Sequence, residues 1–351
     1  MNPLKNLSVI RKLVQIAAFA VLVYGASLGT YHLADKLTHA LPALSCAFDL
    51  NGSDICTLIP IQHQFGHRLG PAITSGGDIL QGLMPTMITL GTFLILFIIL
   101  NKAFCGWICP VGTFQEFMYM LGQKLGLQRT ENVDRKVVKR TRPVKWFMLA
   151  LLVFGFPLLS GMGFVGHDLM DPFCKICPSR ILTTLANGNT DQLHVDMAST
   201  STIVLSVIAD FLFGLIIVLS LTVRQPFCRI CPMLAMHAVF RKLGLLRLIK
   251  NASPRCEKCG ICAKACPMDI SEIHTEMEKK NILHEDCTLC GRCVEFCPEK
   301  DVLQMKYTVF PVFSADPQYF KKRNKAQKQW ERNNLLSKIG NGKTPAEDGA
   351  A

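Results

Sequence analysis

The sequence is short of charge. Only 18% of its 351 residues are Asp, Glu, Lys or Arg, half are hydrophobic, and the mean hydropathy is +0.28. That is too apolar for an ordinary soluble enzyme of this size and points to a membrane protein. Acid is scarcest of all: 26 Asp and Glu stand against 38 Lys and Arg, for a net charge of +12. Residues 224–255 hold no acidic residue. There is no C-x-x-C-H, which excludes covalent c-type haem. No convincing small-residue cleavage site follows the first apolar run, so that run reads as an uncleaved anchor and not as a signal peptide.

Four apolar runs are present, at about 13–31, 83–100, 144–165 and 202–223. Each is near the ~20 residues that a helix needs to cross the hydrocarbon core. In residues 121–145, Lys124, Arg129, Arg135, Lys136, Lys139, Arg140, Arg142 and Lys145 stand against Glu131 and Asp134. Segments 34–82 and 166–200 each hold four Asp and only two basic residues. Lys and Arg gather on the cytoplasmic side of a membrane. The expectation is a multi-pass protein of the cytoplasmic (inner) membrane of a bacterium. Both termini and the 101–143 loop lie inside, and segments 32–82 and 166–201 lie outside.

The chain also repeats itself. Cys105-x3-Cys109-Pro110 follows the second run and Cys228-x2-Cys231-Pro232 follows the fourth, and each leads to Lys-Leu-Gly-Leu, at 124–127 and 242–245. The predicted fold is a membrane all-α four-helix transmembrane bundle of two repeated halves over residues 1–250. A small α+β two-cluster bacterial ferredoxin domain over 251–307 and a polar, basic, partly disordered tail over 308–351 follow it. Phe114, Phe117, Met118, Leu121 and Leu125 share one helical face, which suits a helix lying in the inner interface or a core helix with a basic edge.

Sixteen cysteines, mostly in C-x2-C or C-x3-C pairs followed by Pro, read as metal ligands and not as a disulfide framework. Cys256-x2-Cys259-x2-Cys262-x3-Cys266-Pro267 precedes Cys287-x2-Cys290-x2-Cys293-x3-Cys297-Pro298. In such doubled runs the fourth Cys ligates the other cluster. One [4Fe–4S] cluster is therefore expected on Cys256, Cys259, Cys262 and Cys297, and a second on Cys287, Cys290, Cys293 and Cys266. Structural zinc rarely uses this doubled run. Cys105, Cys109, Cys228 and Cys231, two from each half at one membrane depth, make a third candidate set.

The stretches KAFCGWICPVGTFQEF (102–117) and PFCRICPMLAMHAVF (226–240), with the eight-Cys run, resemble the membrane polyferredoxins, the group of NapH, MauN, YccM and the membrane part of NosR. The resemblance covers roughly residues 83–306. It departs from the group's pattern where two residues, and not three, separate Cys228 from Cys231. It implies electron transfer between the quinone pool and a partner reductase, dehydrogenase or cytochrome, in the manner of a quinol dehydrogenase component, with quinone or quinol as a further ligand. Other readings of the same clusters are a redox-sensing regulator and a metalloenzyme maturation factor. The bilayer is a partner, and no nucleic acid is expected.

Two cysteine pairs remain, Cys46 with Cys56 and Cys174 with Cys177, one in each outer segment. They make a fourth candidate cluster set near the outer face, or else two disulfides. His63 and His67, spaced i,i+4, could bind a metal or a quinol head group. His167 and Asp168 could accept quinol protons, since His titrates near neutrality. Surface histidines are the preferred reading for all of them. Trp107 and Trp146 read as interfacial anchors.

Overall fold

A computed structural model of the chain describes residues 7–24, 58–127, 133, 135–186, 188, 190–251, 256–318 and 320–321. Among these residues, three helices are long and apolar enough to cross a membrane: Ile79–Leu100, Lys136–Gly161 and Thr200–Thr222. The protein is a membrane protein built on these helices. Asp78 starts the first by accepting the Leu80 N–H, and a Ser199–Thr202 capping box starts the third. Ile88 and Ile95 on the first, and Val204, Phe211 and Val218 on the third, are exposed apolar side chains that suit contact with lipid.

The middle helix starts about two turns before the expected 144–165 span. Its added turns carry Arg142 to the ferredoxin domain, and Lys145, at the start of the expected span, reaches it too. It widens into a π turn over Leu149–Gly155, just ahead of Pro157, which lacks the N–H that the α ladder needs. The span expected at 13–31 is helical over Leu7–Tyr24 (α1), and residues 25–31 lie outside the described residues. The buried polar residues of α1 are Ser8, Arg11 and Gln15. Ser8 bonds Glu295, and Gln15 donates to the Gly106 carbonyl at 3.2 Å, so the helix starts as a docking element before it becomes apolar.

The two segments expected as outer loops do not behave as loops. Leu58–Gln64 (α2) continues through a π turn, Phe65–Leu69, into Gly70–Thr74. Leu58 and Ile61 sit in the bundle core with Phe93 and Phe97. In the second segment, Pro172–Ile176 and Pro178–Ala186 bury Phe173, Ile176, Ile181 and Leu182 in the same core. Both segments are pulled inward by apolar groups too closely spaced to register as a span.

The ferredoxin domain carries a three-stranded antiparallel sheet, Leu246–Lys250 (β1), Leu303–Tyr307 (β2) and Phe310–Ser314 (β3), in the order β1-β2-β3. Leu248 faces Met305, and Met305 faces Phe313. The domain thus outruns the expected 251–307 on both sides, and β3 lies in what reads as tail. Leu248, Leu303 and Met305 bury one face of the sheet among the cysteine loops, and the core runs on to Ala103 and Leu234 of the bundle.

Candidate functional site: a line of cysteine sites

The domain docks through charge. Arg142 bonds Asp286 at 2.8 Å and Glu272 at 2.7 Å, and buried Lys145 pairs with Asp286. Arg229 meets Asp269 at 2.5 Å, and the fully buried Lys102 donates to the carbonyls of His284 and Glu285. Arg142, Lys145 and Arg229, which in the sequence read as part of a topology signal, are therefore engaged on this one surface.

In the domain the cysteines gather in two sets. Cys297 lies within electrostatic reach of Cys256, Cys259 and Cys262. Cys266 lies beside Cys287 and Cys290, and Cys293 joins them. The second set lines a small apolar cavity with Leu248, Met268, Ile273 and Thr288. Burial, with the neighbouring thiols, pushes Cys297 up to about 11 and Cys287 up to about 12. Without metal these groups are neutral thiols at pH 7, and iron binding must displace their protons.

A larger apolar cavity, of about 900 Å³, lies in the bundle. Cys105, Cys109, Cys228 and Cys231 line it, and so do Cys174 and Cys177. Burial first, then Cys109, Cys231 and Cys228, raises Cys105 well above the ordinary thiol value, so these four thiols crowd one another. The unequal spacings of the two motifs are reconciled in the backbone. Cys105-x3-Cys109 winds as a π turn, with Cys109 N–H donating to the Phe104 carbonyl, while Cys228-x2-Cys231 winds as a 3-10 turn, Phe227–Arg229. Each motif then enters a helix through Pro at its first turn, Pro110–Lys124 (α4 below) and Pro232–Val239 (α5 below). Cys109, Cys231 and also Cys177 leave at nearly the same angles, φ/ψ of −55°/122°, −66°/123° and −71°/125°. These are the extended conformations that a following Pro imposes.

Cys174 and Cys177 are thus in the core, facing the cavity of the third candidate set, and not out in a loop. No disulfide joins Cys174 to Cys177. Cys46 and Cys56 lie outside the described residues.

Several polar groups aimed at these sulfurs carry no signature in the sequence. Gln62 Nε2 donates to Cys174 Sγ at 3.0 Å, and Gln115 Nε2 to Cys228 Sγ at 3.5 Å. His237, ringed by Phe93, Phe97 and Phe104, faces Cys105 Sγ with Nδ1 at 3.8 Å. Burial draws Lys102 down to about 8, while Cys287 and Cys105 both act to keep its charge, which puts this cation between the second and third sets. The only signal available was position: Gln115 and His237 both stand six residues past the second Cys of their motif.

The two cavities share a wall. Thr288 lines both. A side chain on Gly106 would strike the Thr288 carbonyl oxygen and come within 3.2 Å of the Cys290 Cα, so only glycine permits this approach. Trp107 clamps it by donating Nε1–H to the Leu289 carbonyl at 2.9 Å, which makes it a docking residue and not a lipid anchor. Trp146 packs against the bundle core. His67 lies next to both His63 and His167.

The donor chemistry fits iron–sulfur clusters. Soft thiols converge in buried sets, none of the fourteen described cysteines is in a disulfide, and N–H groups point at their sulfurs. The comparisons agree. A 4Fe-4S binding domain model matches residues 83–128 and again 206–251, and a 4Fe-4S dicluster domain model matches 248–298. YccM of Escherichia coli is 29% identical over 218 residues, 62% of this chain and 54% of that protein. The methylamine utilization ferredoxin-type protein MauN of Methylorubrum extorquens is 27% identical over 73% of each chain. The ferredoxin-type protein NapH of Haemophilus influenzae is 24% identical over 57% of this chain and 61% of its own. The chain thus spans about half the length of YccM. No solved structure matches.

These findings define an iron–sulfur protein of the membrane. Within that class, the chain is similar to the membrane polyferredoxins, the group of NapH, MauN, YccM and NosR.

Proposed function

We propose that the chain relays electrons between the quinone pool and a respiratory partner, a reductase, dehydrogenase or cytochrome, along four [4Fe–4S] sites. One-electron transfer is the chemistry such clusters supply when bound. Cys256, Cys259, Cys262 and Cys297 would hold the first. Cys287, Cys290, Cys293 and Cys266 would hold the second, and Cys105, Cys109, Cys228 and Cys231 the third. Cys174 and Cys177, with Cys46 and Cys56, would hold the fourth. The carrying observation is the shared wall: Thr288 lines both cavities, and Gly106 lets the bundle motif lie on the backbone of Cys290.

The protein's own groups set the conditions for this relay. Lys102 supplies fixed positive charge between the second and third sites. Gln62, Gln115 and His237 face sulfurs of the bundle cavity, where a hydrogen bond favours the more negative, reduced state. The proposed setting is the bacterial cytoplasmic membrane with both termini inside. Support comes from the basic loops and from the docking of Arg142, Lys145 and Arg229 on the ferredoxin domain.

Anaerobic purification with iron and labile-sulfide analysis, followed by reduction with a quinol analogue, tests the reading. About sixteen irons per chain, falling to about twelve in a Cys174→Ala/Cys177→Ala variant, are expected for four clusters. Twelve in both would remove the fourth site. Clusters that a quinol cannot reduce or a quinone cannot oxidise would remove the quinone link.

A further inference from the structure

Three of the chain's nine histidines meet at one place. His63 lies on α2, His67 one turn later in the π turn Phe65–Leu69, and His167 in the turn His167–Leu169. The His63 and His67 rings are 5.8 Å apart between centroids, and those of His67 and His167 are 5.5 Å apart. Imidazoles bound tetrahedrally to one ion at about 2.0–2.1 Å have ring centroids roughly 5 Å apart. Two of the three ring pairs are close to that spacing, and rotation of the exposed side chains is needed to bring three nitrogens onto one ion. All three side chains are exposed, so an ion can enter.

The histidines sit on backbone that is held in place. A Cβ on Gly161 would fall on the Gly66 carbonyl, so the helix that leads to His167 lies directly against the turn that carries His67. Ser160 Oγ donates to the Gly166 carbonyl at 3.1 Å. Asp168 is engaged on both sides: its carboxylate accepts Ser199 Oγ–H at 2.6 Å and its carbonyl accepts Lys175 Nζ–H at 2.6 Å. The cluster is remote from the ferredoxin domain. Gly82 lies near Arg68, whereas the Ile98 carbonyl, about 24 Å further along the same helix, bonds Leu245 next to β1.

We propose that His63, His67 and His167 form a three-imidazole site for a single late first-row divalent ion, Zn²⁺ or Cu²⁺. Neutral nitrogen donors with no carboxylate among them favour these ions over Mg²⁺ or Ca²⁺. The site is separate from the cysteine sites and stands whether or not the chain exchanges electrons with quinones.

The test uses cluster-loaded full-length protein without a histidine tag. It is given one equivalent of Cu²⁺, or of Zn²⁺ in a parallel sample, and desalted. Oxidised [4Fe–4S]²⁺ clusters give no EPR signal, so the Cu²⁺ spectrum is read directly. One ion retained per chain, with the hyperfine pattern of three nitrogens, is the expected result. His67→Ala and His167→Ala should each weaken retention by more than the roughly 10- to 100-fold caused by losing an outer-sphere partner. Unchanged iron content shows that a variant is folded. If a variant loses iron, the nitrogen count of the wild-type spectrum decides. No retained ion in the wild type, fewer than three nitrogens, or full retention in folded variants would overturn the site.

Discussion

Gln115 and His237 hold matching places in the two halves of the chain, each six residues beyond the second cysteine of its motif, and each faces the first cysteine of the other half. Gln115 Nε2 lies 3.5 Å from Cys228 Sγ, and His237 Nδ1 lies 3.8 Å from Cys105 Sγ. The exchange braces the halves across the cavity. It also gives each half a group that acts on the sulfur of the other.

Replacing either residue with Leu should therefore lower the reduction potential of the third site while leaving the two ferredoxin sites unchanged. A lost hydrogen bond of about 1 kcal/mol corresponds to roughly 40 mV for one electron. Burial, then Lys102, holds His237 down at about 3, so it is neutral across the working range. The shift in His237→Leu should then be the same at pH 6 and pH 8, as read by EPR-monitored redox titration.

Cys297→Ser should deplete the cluster that also uses Cys256, and Cys266→Ser the one that also uses Cys287. Mössbauer or EPR signatures of the two variants should be complementary. Identical signatures would mean that the fourth cysteines are not exchanged between the two runs.

Gly106→Ala should push the bundle motif away from the ferredoxin domain, because its methyl meets the Thr288 carbonyl. The destabilisation expected for such overpacking is about 1–3 kcal/mol. Electron exchange between the second and third sites should slow, and Trp107 fluorescence should report a loosened contact. Unchanged transfer kinetics would count against Thr288 as the shared wall.

Asp286→Ala leaves buried Lys145 with only Glu285, at 3.8 Å, and leaves Arg142 with Glu272 alone. Breaking one side of a buried ion pair costs about 3–5 kcal/mol, whereas an apolar replacement of both partners can be nearly neutral. The denaturant midpoint of cluster bleaching should fall in Asp286→Ala and recover in part in Lys145→Met/Asp286→Leu.

Burial alone would raise Glu272 and Asp286. Arg142 outweighs it at Glu272 and holds that carboxyl at about 2. His284 and Lys145 outweigh it at Asp286, which lies below the ordinary Asp range. Folded values below the unfolded ones, near 4, mean that the contribution is complete above about pH 5 and is lost progressively as pH falls from about 4 through the folded value of about 2. Trp107 fluorescence should stay constant from pH 8 to pH 5, and a transition centred near pH 6.5 would contradict this account of the interface.

Much of the site could be read before any coordinates. The doubled Cys run names candidate ligand sets through its local spacing, and the structure groups Cys297 with Cys256, Cys259 and Cys262, and Cys266 with Cys287 and Cys290. Three apolar runs announce helices because a spanning segment must be apolar for ~20 residues. The inward-folded segments were not legible. Pro172–Ile176 and Pro178–Ala186 are short and carry Lys175 and Arg180, so any window of spanning length averages them into a loop. β3 was hidden likewise, since its strand pattern of alternate burial is faint: Phe310, Pro311 and Val312 are exposed and Phe313 is half-buried.

By itself the sequence determined the donor chemistry and the apolar helices of this protein: soft thiols in paired runs, and runs long enough to span a membrane. Only the tertiary structure decided which thiols share a cavity. Cys174 and Cys177, remote in sequence and charge context from Cys105 and Cys228, face the same interior. Basic residues that look like a topology signal are docking partners of Asp269, Glu272 and Asp286. The physical reason is one of range. Ligand type, helix length and pre-proline geometry are set by neighbours along the chain, whereas depth, enclosure and the pairing of buried charges depend on contacts between residues more than a hundred positions apart.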